Sequence, residues 1–169
     1  MSEASGPILS VSALFAERDA RRRNEQEAEA QLKRQRQEEL AEFRARLENF
    51  QLTDARVEAV FVRIRRAFER GETELMLTSF PSSFCTDDGR AIINAGAPPI
   101  IKPDKDAPPP TEPEWLSTLP KGVRPIFAYW KQNMEAGGFR FTARVINYPD
   151  GKPGDVGLFF AWPKSTMEA

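Results

Sequence analysis

FRFTARVINYPDGKPGDVGLFFAW, residues 139–162, is the stretch that decides the fold. Phe139, Phe141, Ala143 and Val145 alternate with Arg140, Thr142 and Arg144, the period-two pattern of a strand with one apolar and one partly polar face. In the second half Val156, Leu158, Phe160 and Trp162 alternate with Gly157, Phe159 and Ala161. Both faces of that strand are apolar, which suits a central or covered position. Pro149-Asp150-Gly151-Lys152-Pro153-Gly154 between them reads as a wide hairpin loop.

Working backwards, Val123, Phe127, Trp130 and Met134 form the stripe of a helix from about Val123 to Ala136, stopped by Gly137-Gly138. Residues 97–113 hold seven prolines and read as a partly extended, mobile excursion. Asp87 and Asp88 open a short helix towards Gly96, and Thr73–Phe80 is a strand stopped by Pro81. Between Ile8 and Arg70 there is neither Gly nor Pro, so helices persist. Ser10 or Ser12 caps the first, which runs to about Phe50; some 40 helical residues would span roughly 60 Å. Its middle, Ala16–Glu39, is polar, with Glu17–Arg21, Glu29–Lys33 and Arg34–Glu38 at i,i+4 spacing. Thr53 caps the second helix, with Leu52 and Val57 as a hydrophobic staple and Gly71 as the stop. Val57, Val60, Phe61, Ile64 and Phe68 mark its buried face, and Arg56, Arg63, Arg66 and Arg70 its solvated one.

The order α, α, β, α, α, β, β gives an α+β fold: a long N-terminal helix or helical hairpin followed by a small two-layer α/β sandwich with a three-stranded sheet. The expected segments are a disordered N-terminus at 1–9, a charged helix at 10–50, a compact domain at 53–163 and a disordered tail at 164–169.

Composition narrows the chemistry. Lys and Arg against Asp and Glu number 14 to 13 before Glu72 and 10 to 12 from it onward, so neither part has the excess of cations that general nucleic-acid affinity needs. The absence of histidine excludes Ser-His-Asp triads, Cys-His dyads and histidine metal sites. The single cysteine excludes an internal disulfide. With no signal-like start and no bilayer-length apolar run, a cytoplasmic protein without a membrane partner or cofactor is expected.

Three surfaces qualify as sites. Leu40, Phe43, Leu47 and Phe50, spaced 3, 4 and 3, form a short seam for self-association or a protein partner, or for packing within the chain. Arg140, Arg144 and Lys152, with Phe159 on a comparable strand face, would pin phosphates while a base stacks; the alternative has the arginines snorkelling or pairing with Glu74. Cys85-Thr86-Asp87-Asp88-Gly89-Arg90 places a thiol before a helix start, a setting that favours a thiolate; the reading preferred over it is a buried structural cysteine beside a capped helix start. The segment resembles the phosphate-binding Cys-x5-Arg loop of tyrosine phosphatases, but is one residue short and carries two aspartates that repel phosphate. Asp87, Asp88, Asp150 and Asp155 would make a magnesium or calcium site only if their loops met; acidic residues beside Gly in turns more often form caps and Asx-turns.

FPSSFCTDDGRAIIN at 80–94, Trp130, and GFRFTARVINYPDGKPGDVGLFFAW at 138–162 resemble a set of small uncharacterised bacterial proteins. The likeness covers Glu74 to Trp162, omits the N-terminal helix and brings no activity. It implies that Cys85, Gly89, Arg90, Asn94, Gly154, Asp155 and Trp162 belong to one shared pattern. The function expected first is a non-enzymatic interaction or regulatory module; second, nucleic-acid binding through the Arg140/Arg144 face; third, an unfamiliar enzyme using Cys85 or the aspartate loops.

Overall fold

A computed structural model describes residues 9–96 and 111–166. The expectations for residues 1–8, most of the proline-rich excursion (97–110) and residues 167–169 lie outside this range. The chain divides into two units, Met1–Phe43 and Arg44–Ala169.

The first unit consists of most of helix α1, Val11–Glu48, whose first turn is capped by the Ser10 hydroxyl accepting from the Ala13 amide at 3.1 Å. None of its described residues is buried. The three expected i,i+4 ion pairs do not form; among the described residues of this unit the one ion pair is Arg18–Asp19, at 3.5 Å. The long charged side chains stay in water, where holding two of them in one geometry gains little.

The second unit begins within the last turns of α1, so Leu47 belongs to its core. Helix α2, Asp54–Glu69, starts where expected: Thr53 Oγ1 accepts from the Arg56 amide at 3.3 Å. It ends in a Schellman closure, with Gly71 at φ 80° and the Glu72 amide donating to the Ala67 carbonyl at 3.0 Å. Strand β1, Glu74–Pro81, follows, then the short helix α3, Arg90–Ala95, helix α4, Pro125–Asn133, and strands β2, Arg140–Val145, and β3, Asp155–Ala161. The expected helix from Val123 to Ala136 is thus shorter, flanked by 3-10 turns at Lys121–Val123 and Glu135–Gly137.

The sheet runs β1-β3-β2, antiparallel throughout. The doubly apolar strand is therefore central: Val156 and Leu158 are wholly buried, as a strand paired on both edges requires. Phe80, Phe141, Val156, Leu158 and Phe160 share one face by register. Around Phe141 lie Trp115, Phe127, Trp130 and Phe160, at 5.6 to 6.3 Å between ring centroids. One expectation fails on α2. Phe68 is 64% exposed, and the buried line there passes through Ile64 and Ala67.

Candidate functional site

The seam divides. Leu40 is exposed and Phe43 half-buried, whereas Leu47 is buried and Phe50 half-buried within the second unit. The Arg56 guanidinium covers the Phe50 ring at 4.6 Å and donates to the Gln51 carbonyl at 2.7 Å. Glu48 accepts from the Lys121 amide at 3.0 Å. Gly122 lies so close that a Cβ there would meet the Leu47 carbonyl oxygen and come within 2.7 Å of the Phe50 amide. The distal half of the seam thus serves the domain's own packing.

On the second face of the sheet the structure brings Arg144, Glu74 and Phe159 together. Arg144 donates through both terminal nitrogens to Glu74, at 2.6 and 2.8 Å, and its guanidinium lies 3.7 Å over the Phe159 ring. The ring folds in turn over Gly157, where an added Cβ would come within 2.6 Å of it. Phe159 is consequently buried, with its accessible face already stacked on a cation. The Glu74 carboxyl is held below its ordinary range chiefly by the hydrogen bonds from Arg144. Arg140 is exposed at the start of β2 and Lys152 at the hairpin tip. For Arg144, pairing with Glu74 is the arrangement found.

Cys85 does not have the surroundings of a nucleophile. It is buried, and its thiol is pushed up to about 11, first by that burial and further by the Asp87 and Asp88 charges, with a contact to Thr118 opposing. Helix α3 begins only at Arg90, and of the two readings of Cys85 the buried structural cysteine is the one found. Asp87 instead caps α3, accepting from the Gly89 and Ala91 amides at 3.0 and 2.9 Å.

The two aspartate loops do meet, but through other groups. The Ser82 amide donates to the Gly154 carbonyl at 2.8 Å and its hydroxyl to the Pro153 carbonyl at 3.2 Å. Gly89, at φ 85°, packs against Ser82 and Val156. Asn147 closes the β2–β3 loop: its amide nitrogen donates to Asp155 Oδ2 at 3.1 Å, and its oxygen accepts from the Asp155 amide at 2.8 Å. That oxygen occupies the space a Cβ at Gly154 would need. Trp162 is buried edge-on to Phe139, with its amide donating to the Thr73 carbonyl at 2.9 Å. Arg90 and Asn94 are exposed. Among the described residues, no three of Cys, Asp and Glu converge as a metal site would require.

One feature escaped the sequence. An apolar cavity of about 340 Å³ lies between α2, β1 and α4, lined by Leu52, Val57, Val60, Leu77, Ile126 and Tyr129. Arg56 and Arg63 stand at it, where the sequence pattern set them on the opposite, solvated face. Arg63 donates to the Met76 carbonyl at 3.0 Å. The stripe Val57–Val60–Phe61 was legible; that the neighbouring elements leave space beside it was not.

Among the described residues no helix is long and apolar enough to cross a membrane. No protein-family model, curated protein or solved structure matches this chain.

Proposed function

We propose that this chain is a non-enzymatic interaction module in which α1 is the contact element and the unit from Arg44 onward is its folded anchor. The observation that carries the reading is that the Met1–Phe43 unit buries none of its described residues while exposing Val11, Leu14, Phe15, Leu32 and Leu40. A helical segment that buries none of its described residues depends on its own propensity or on a partner, and Val11, Leu14, Phe15, Leu32 and Leu40 supply apolar surface for the latter. The buried thiol, the scattered carboxylates and the absence of histidine support a non-catalytic role.

A photo-crosslinking side chain placed at Leu14 or Leu32 in cells is expected to give adducts. At Glu27, on the opposite side of α1, it should give few. No adduct at either apolar position would reject the reading. The adduct mass separates a second copy of the chain from a different protein.

A further inference from the structure

The large apolar residues of the first unit are not scattered around α1. At about 100° per residue, Val11, Leu14, Phe15, Leu32, Leu40 and Phe43 fall within an arc of about 100°. The helix nevertheless has almost no amphipathic character as a whole. The reason is that the same stripe, between Phe15 and Leu32, carries Arg18, Arg22, Glu25 and Glu29. From Val11 to Arg36 the stripe keeps a 4, 3, 4, 3 spacing through positions 11, 15, 18, 22, 25, 29, 32 and 36, the repeat of a coiled-coil seam. Two cations are thus followed by two anions along one line, with an apolar residue at each end.

We propose that two copies of this chain pair through α1 in antiparallel register, with Arg18 and Arg22 of one copy facing Glu29 and Glu25 of the other. The pairing rests on the reading of α1 as a contact element and names its partner.

Charge complementarity fixes the direction. Placed antiparallel about a centre between Arg23 and Asn24, Arg18 meets Glu29, Arg22 meets Glu25 and Phe15 meets Leu32, each twice by symmetry. A parallel, in-register pair would put Arg18 on Arg18, Arg22 on Arg22, Glu25 on Glu25 and Glu29 on Glu29, four repulsive layers. The charges are also available. Arg18 has a 3.5 Å contact to exposed Asp19 and lies 4.7 Å over the Phe15 ring. Among the described residues, the Arg22, Glu25 and Glu29 side chains make no ion pair or hydrogen bond. In the pair, Arg18 would keep its ring contact and exchange Asp19 for Glu29.

The test uses the full chain and light scattering over a concentration series. All four positions are exposed, so changing them disturbs no core. Wild type is expected to dimerise. R18E/R22E and E25R/E29R, each facing only like charge, should each associate at least about tenfold more weakly. An equimolar mixture of the two should recover a dimer, and so should the quadruple variant carrying all four changes, whose net charge is that of wild type. Spin labels at Ser12→Cys should sit about 35 Å apart in the dimer, against near-contact in a parallel pair. Cys85, buried, stays unlabelled.

A wild-type dimer indifferent to the double changes, or labels in near-contact, would overturn the pairing. So would a wild type that stays monomeric at high concentration. In that last case adducts of α1 with a different protein would still leave the contact-element reading standing, whereas their absence as well would remove both.

Discussion

Arg18 and Arg144 are the same side chain in two settings. Arg18, in the Met1–Phe43 unit, reaches an exposed aspartate next to it in sequence at 3.5 Å, while Arg144, on the sheet, is held by two short bonds to Glu74 and lies flat on Phe159. The sheet presents the carboxylate and the ring at fixed positions, so the guanidinium gives up its rotamer freedom once for three contacts. Around Arg18 the nearest partners, Asp19 and Phe15, are exposed side chains of the same helix. The Arg144 charge is therefore part of the fold, whereas the Arg18 charge stays at an exposed surface.

The widest gap between the two regions should be exposed by Leu158→Ala. This wholly buried residue sits at the centre of the middle strand, and its truncation is expected to cost about 2–5 kcal/mol in urea unfolding. A cost under about 1 kcal/mol would mean the sheet is not where the stability lies. Gly154→Ala comes next. The new methyl competes with the Asn147 side chain, so a loss of about 1–3 kcal/mol is expected, and Asn147→Ala in the same background should recover part of it.

The Arg144 stack should show a smaller effect. Arg144→Ala removes both the ion pair and the cover on Phe159, for about 1 kcal/mol, and Glu74→Gln the ion pair alone, for less. Glu74 is lowered in the folded state, so its contribution is complete above the ordinary value of 4.5 and lost as pH falls through the lowered one. The difference in urea midpoint between wild type and Glu74→Gln should accordingly shrink on acidification. A difference that stayed constant would mean the carboxylate charge contributes nothing. The smallest effect belongs to α1: Glu27→Gly should cost local helicity, roughly 1 kcal/mol of propensity, and leave the melting of the second unit where it was.

Much of this was legible before any coordinates. Period-two alternation placed Val156, Leu158 and Phe160 in a central strand, and Thr53 and Gly71 bounded α2, because such signals depend on neighbours in sequence. The misses are between elements. Nothing local to Gly122 announces that the Leu47 carbonyl sits against it, and nothing near Arg56 or Arg63 says a cavity opens there. Phe68 has the spacing of a core residue but lies in the last turn of α2, where the buried line runs through Ile64 and Ala67. Cys85 was legible as a buried structural cysteine, but the start of α3 five residues later was not. The candidate phosphate-and-base site named the right neighbours, Arg144 and Phe159, with Glu74 as the alternative partner. Register decided which contacts they make.

The account stands most directly on the melting of residues 40–169 compared with that of the whole chain, followed by near-ultraviolet circular dichroism. Since the Met1–Phe43 unit buries none of its described residues, the shortened chain should unfold cooperatively with an unchanged midpoint. A shortened chain that gave no cooperative transition, or one displaced downward by ten degrees or more, on the order of 2–3 kcal/mol for a domain of this size, would show that the helix is part of the fold and contradict the division of labour.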